Sequence, residues 1–467
     1  MAAAENSNQR KQSSIKHTRS VQRDRTQRAT GAPIESAIAD RLTEIVHPAT
    51  LTQISVYHAL GLRARSLTLP VIVALMLSLI GRPMGRVCAL ARVVNREAVL
   101  WAPRQTIMQQ AITMRLRVMP AQLFWNVLEQ IVPVLRARWE RRQRPLSDVM
   151  AWARAHDRRV LICDGSTLDA LIRNVGLLNA LDRHPLVGRI SALLDGLARL
   201  PVWIGSTADA EAHDQQFWDD ILGWVSAGMR RIFDRGYANF ARFAQMTGAG
   251  ITFVTRAKDN LAYDAAKVIL CSAAGHDRVV GIGAAQAGTR QQVRLVEGLY
   301  RGKWHRSLRN ERDAQRLPAE VLAGLYRQRW RIADAFGTVK SLLGLSYFFC
   351  GADNAVQVQV SAAWILYAVL ADVTDAGAEA LARPFADVSM EMGYRALYPY
   401  VRAAHPRSGW GSASTSLYPY VRAAQQNEAH DLIAFLVAEH KLLGFVKRKK
   451  PVKPKSRPHP LTDDEDA

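Results

Sequence analysis

The sequence predicts a multidomain α/β protein, a mixed sheet with a β-rich insertion, flanked by helical N- and C-terminal regions. Two changes of periodicity predict it. Between residues 34 and 146 apolar side chains recur every three or four positions; from about 158 to 310 they come in short runs broken by turns. From Pro318 the helical spacing returns. With 467 residues the chain can bury a large core and build more than one domain.

Residues 1–32 are rich in Ser, Gln, Asn, Arg and Lys and read as a disordered basic arm. Residues 33–150 read as a helical DNA-binding domain punctuated by Pro48, Gly61, Pro70, Gly81, Pro83 and Pro120. Arg63, Arg65, Arg82, Arg86 and Arg92 cluster there, which suits either helix-turn-helix docking or a solvated basic face. Residues 151–375 read as the sheet domain. Within it RRVLICDGSTLDAL at 158–171 is a strand that ends at Asp164, and GRISALLDG and LPVWIGST are two more. A helix is expected over 212–229, then a strand RRIFD ending at Asp234, a helix, and the strand ITFVTRAK at 251–258. Four further strands fill a β insertion at about 260–315, and SAAWILYAVLADV at 361–373 reads as a core helix. Residues 376–445 form a helical C-terminal region in which LYPYVRAA occurs at 397–404 and again at 417–424. The basic, proline-rich tail 446–467 reads as disordered.

Formal net charge is +21 and the pI about 10.2, so an anionic partner is expected, nucleic acid before a membrane surface. Cys88, Cys163, Cys271 and Cys350 are far apart and form no CxxC pair. That argues against a zinc site or disulfide framework and fits a reducing cytoplasm. The apolar stretch Leu67–Ile80 is shorter than the roughly 20 residues that a spanning helix needs, so it reads as a buried helix and no membrane partner is expected.

Asp164 and Asp234 share a context: each follows an apolar run, and each stands one or two residues before a glycine. Alone, either reads as a turn or helix cap. On neighbouring strands the two carboxylates converge at one sheet edge and repel unless a divalent cation lies between them, which suits Mg²⁺. Two such ions can activate an attacking oxygen and stabilise a leaving one in phosphodiester chemistry. Downstream, YRQRWRIADAFGTVK at 326–340 reads as one helix with Tyr326, Arg329, Ala333 and Lys340 on one face. Arginine offers a phosphate two parallel donors, lysine a point charge and tyrosine a hydroxyl.

DGSTLDAL, DRGYANF with RAK following, and YRQRWRIADAFGTVK resemble the signature regions of IS4-type insertion-sequence transposases over roughly residues 155–370. The third region is the most specific: Tyr326, Arg329 and Lys340 fall at that family's spacing. The resemblance implies a ribonuclease-H-like sheet with a β insertion, DNA cleavage at transposon ends and strand transfer into target DNA. It implies Mg²⁺ (Mn²⁺ as substitute), a homodimer on double-stranded DNA, and a bacterial, nucleoid-associated location. Carried over, Asp164 and Asp234 are metal ligands. Tyr326, Arg329, Lys340, Arg235 and Arg256 contact DNA. Trp304 stacks on a flipped base, the other reading being a tryptophan packed in the sheet core.

One position departs. Ala333 stands where the resembling family has glutamate. Asp334 lies about 100° away around a helix and is shorter, so it is not expected to substitute. The rest of the motif is intact, which reads as removal of a single ligand rather than broad decay. The expected result is a transposase that binds transposon ends and barely cuts them. A non-catalytic DNA-binding relative and a structure-specific nuclease of the same fold are the alternatives.

Overall fold

The computed structural model describes residues 37–62, 65–82, 84, 86–167, 189–207, 213–272, 275–286, 288–300, 303–343, 345, 349–350, 352–395, 397 and 432–438. The basic arm 1–32, Arg63, the repeated LYPYVRAA and the tail 446–467 lie outside the described residues, apart from Leu397 in the first copy. The chain divides into two compact units, one of residues up to Trp224 and from Gln328 to Val446, the other containing Val225–Arg327.

The first unit opens with helices α1 (Ala39–Thr52), α2 (Ile54–Ala59), α3 (Leu69–Gly81), α4 (Val87–Val94), α5 (Gln109–Val118), α6 (Gln122–Arg141) and α7 (Asp148–His156). The apolar stretch expected to be buried is α3, with Leu69 and Leu77 fully enclosed. Thr68 caps it by accepting from the Val71 N–H at 3.5 Å, and Pro70 sits in the first turn, where its missing N–H costs nothing. Strands β1 (Arg159–Thr167), β2 (Arg189–Asp195) and β3 (Pro201–Thr207) follow as an antiparallel meander. β1 does not end at Asp164. Gly165, Ser166 and Thr167 continue the ladder against Ser191, Ile190 and Arg189, so Asp164 sits mid-strand. The helix expected over 212–229 is a 3₁₀ turn, Asp214–Phe217, followed by the five-residue α8 (Trp218–Leu222); Gly223 and Gly228 stop it.

The second unit contains β4 (Met229–Phe233), α9 (Phe240–Gly248), β5 (Thr252–Arg256), β6 (Asp264–Ser272), β7 (Gly275–Ile282), β8 (Gln291–Tyr300), β9 (Lys303–Arg309) and α10 (Ala319–Arg327). β4 and β5 are parallel, joined through α9, which packs Phe243 on Phe253 with ring centroids 4.5 Å apart. β5 pairs antiparallel with β9, and β9, β8, β7 and β6 continue as the expected β insertion. Asp234 follows β4 directly and starts the 3₁₀ turn Arg235–Tyr237, as its context predicts.

The chain returns to the first unit through α11 (Trp330–Gly337), a π-helical turn Thr338–Leu342, α12 (Asp353–Ala380) and α13 (Leu432–Ala438). The single helix expected over 326–340 is therefore broken. α10 stops at Arg327, Gln328 and Arg329 form a turn, and the last residues coil more widely than an α-helix. α12 is long and apolar enough to cross a membrane by composition alone, but 89% of that window is buried inside the unit, so it is a core helix. Its inner acids meet the α6–α7 connection: Arg142 donates to Asp372 (2.6 Å) and Asp375 (2.7 Å), and Arg144 pairs with Asp375.

Candidate active site

In the first unit β1 alternates its side chains, so Asp164 and Ser166 share a face. Arg329, which caps the start of α11, donates from Nη1 to Asp164 Oδ2 at 2.6 Å. Both side chains are mostly buried, at 12% and 18% exposure, so this charge-assisted bond is shielded from water. The other oxygen, Asp164 Oδ1, accepts from the Gly165 N–H at 2.9 Å. Lys340 donates from Nζ to Ser166 Oγ at 2.5 Å. The π-helical turn changes the phase between Ala333 and Lys340. α11 is anchored on its other side by Phe336, whose ring meets Trp364 of α12 edge-on at 5.8 Å.

Ala333 is half-buried and carries no polar group. Asp334 turns outward: its side chain is 70% exposed, with Arg331 3.7 Å away.

The opposite face of β1 is also occupied. A β-carbon on Gly165 would lie 2.2 Å from Asp214 Oδ1, so only glycine lets that carboxylate reach Arg189, which it pairs at 2.7 Å. Neither Ser166 nor the Asp214–Arg189 pair was legible from the motifs. Extending β1 by three residues would have put Ser166 on the Asp164 face through alternation, whereas the Asp214–Arg189 pair forms only through tertiary packing.

In the second unit Tyr326, one residue before α10 ends, donates its hydroxyl to Asp234 Oδ1 at 3.1 Å. The parallel register pairs Phe233 with Thr255, and Arg256 is the last residue of β5. Arg235 is half-exposed and reaches Asp259 at 3.2 Å. Trp304 lies on β9 opposite Leu299 and is 36% exposed, its ring 6.0 Å from that of His276. It is not a core tryptophan.

Each aspartate thus meets one residue of the 326–340 motif: Asp164 a guanidinium, Asp234 a phenol. As a divalent-metal site the donor set is incomplete. Asp164 Oδ2 is already held by a cation, Ala333 brings no oxygen, and among the described residues no three His, Cys, Asp or Glu side chains come together. The expected Mg²⁺ or Mn²⁺ does not fit this donor set as a three-carboxylate site.

Residues 182–369 match the family model of the transposase DDE domain. That span includes Asp234, Trp304 and the whole 326–340 motif and begins after Asp164. The chain is 30% identical over 171 residues to a Sinorhizobium fredii protein described as transposase y4zB, covering 35% of this chain and 47% of that protein. It is 29% identical over 144 residues to a Geobacillus stearothermophilus protein described as a transposase for insertion sequence element IS5377, covering 30% and 38%. The chain spans less than half the length of either relative. Among solved structures, a piggyBac transposase in a synaptic complex with hairpin DNA shares 11% identity and a TM-score of 0.36 over 86% of each chain, too low a score to assign a shared fold.

Proposed function

We propose, on the premise that this chain carries the DDE domain of insertion-sequence transposases, that it binds transposon ends as a dimer on DNA and is impaired in cutting them. The observation that carries this reading is the pairing of motif side chains with the two aspartates, Arg329 on Asp164 and Tyr326 on Asp234. A chain that kept its fold but had lost the site would have no reason to keep both pairings.

The reaction of this class is a displacement at phosphorus: an attacking oxygen forms a P–O bond as the 3′ oxygen leaves. In this reading Arg329 of the first unit holds non-bridging phosphate oxygens with two donors and Lys340 adds a positive charge beside Ser166, while in the second unit the Tyr326 hydroxyl is a donor to a phosphate oxygen. The basic helices of residues 33–150, Arg235 and Arg256 bind the flanking backbone, and the exposed Trp304 offers a stacking surface to a base. Asp164 in the first unit and Asp234 in the second are the carboxylates that would each offer oxygens to the divalent ion on which the family depends, and Ala333 offers none.

The alternative of a non-catalytic DNA-binding relative is favoured by Ala333 itself, and one experiment separates the two. End cleavage is measured on a labelled duplex with four proteins: the chain as it stands, Ala333→Glu, Ala333→Gln, and Ala333→Glu with Asp334→Ala. Ala333→Glu is expected to raise the cleavage rate about 100-fold or more, since each 1.4 kcal/mol of transition-state stabilisation is worth a factor of about ten. Ala333→Gln supplies shape without charge and should not, while Asp334→Ala should leave the restored enzyme active. Efficient cutting by the chain as it stands overturns the impairment. No recovery with Ala333→Glu favours the binding-only protein.

A further inference from the structure

A cavity of about 20 Å³ lies in the first unit, remote in sequence from both aspartates and outside the chemistry described above. Its walls include Arg144, Ser147, Gly196, Arg199, Gln328 and Phe385, and no Asp or Glu lines it. Arg199 occupies the turn between β2 and β3 with a left-handed φ of 56°, a conformation that a non-glycine residue adopts only where its surroundings impose it. Its guanidinium stacks on Phe385 at 4.2 Å and is 8% exposed. Among the described residues no carboxylate lies within ion-pair distance of it. Arg144 uses Nε on Asp375, but its buried Nη2 has no hydrogen-bond partner among the described residues. At the same cavity Ser147 is the N-cap of α7 and its side chain makes no capping bond, so the first-turn N–H groups lack a side-chain acceptor. Asp148 of that turn is exposed to solvent and is not part of the walls.

Arg144, paired through Nε with Asp375, and Arg199, with no carboxylate in ion-pair distance among the described residues, therefore meet an uncapped helix start around a space that no carboxylate lines. Buried cations of this kind are costly unless paired. Burial, then the like charge of Arg331, pulls the Arg199 guanidinium well below the ordinary arginine range, a penalty that a bound anion would relieve. We propose that this cavity is a binding site for one phosphate-type oxyanion, held by Arg199 and Arg144 with the N-terminal turn of α7. The volume admits one or two water-sized groups, which suits the non-bridging oxygens of a single phosphate and excludes a whole nucleotide. The phosphate belongs either to a DNA backbone or to free inorganic phosphate.

The test uses the full chain, Arg199→Gln and Ser147→Ala. Thermal midpoints are compared in sodium phosphate and in sodium chloride of equal ionic strength, and affinity for a short duplex is followed against salt. A free-phosphate site raises the parent midpoint by about 1–2 °C in phosphate, a rise absent in Arg199→Gln and reduced in Ser147→Ala. A DNA-backbone site makes the log–log salt slope of Arg199→Gln shallower by about 0.9. Should Arg199→Gln fail to fold by circular dichroism, Arg199→Met, which keeps the apolar stem and loses the charge, serves for both readouts, with effects in the same direction. Equal parent midpoints in the two salts, together with a salt slope unchanged in the variants, overturn the proposal.

Discussion

Asp164 and Asp234 stand in similar motif contexts and are held in opposite ways. Asp164 lies inside a strand, accepts a backbone N–H from its own neighbour and carries a shielded arginine on its outer oxygen. Asp234 lies just past a strand end, starts a turn and meets a neutral phenol. The first carboxylate is charge-compensated before any ligand arrives; the second is met by a neutral donor. An arriving cation must displace Arg329 from Asp164, whereas at Asp234 it has only to share the carboxylate with a hydroxyl. Two residues of matching sequence context can thus differ in how readily they accept a new partner.

The largest effect that tests this contrast is Arg329→Ala. On the Ala333→Glu background it is expected to lower end cleavage by about 100-fold, because a charge-assisted bond of roughly 1.5–3 kcal/mol and a phosphate contact go together. A smaller loss than that of Tyr326→Phe would reverse the ranking of the two sites. Next comes Gly165→Ala, which should destabilise the protein by about 1–3 kcal/mol in denaturant titrations, since the added methyl meets the Asp214 carboxylate and loosens it from Arg189. An unchanged midpoint would mean that the far face of β1 gives way cheaply.

Tyr326→Phe removes one neutral hydrogen bond, so cleavage on the same background should fall about three- to tenfold. The finest discriminator is the salt dependence of duplex binding. Arg329→Ala should flatten the log–log slope by about 0.9, and Tyr326→Phe should leave it unaltered, since a phenol releases no counterion. Equal slopes in the two variants would remove the distinction between a charged and an uncharged phosphate contact.

The same contrast governs how much could be read in advance. Asp234 stands where its context puts it, because Arg-Gly-Tyr after β4 cannot continue the strand and turns at once. Asp164 is followed by Gly-Ser-Thr, which looks like a turn, yet pairing with Ile190 and Ser191 of β2 keeps it extended; a long-range ladder outweighed local propensity. The β insertion was legible because each strand carries its own alternation and turn signals. The 326–340 motif was legible in composition and spacing, but not in backbone. No glycine or proline marks the break at Gln328, and the π-helical turn has no local signature at all. The oxyanion cavity could not be read either: Arg144, Arg199 and Phe385 are brought together only by tertiary packing.

The π-helical turn at Thr338–Leu342 also bears on how such a helix can evolve. A helix that closes its bonds one residue later holds an extra residue without unravelling the turns on either side. Loss of one residue from this turn would restore ordinary winding and swing Lys340 by about 100°, while Ile332 and Phe336, upstream of the turn, kept their seats in the core. Chain length in these five residues is therefore a dial on reach and direction that leaves the anchoring half of the helix untouched. Insertion or deletion there retargets the basic group with no substitution at the lysine, at the cost of reseating Val339 and Leu343, which are buried in the turn and just past it.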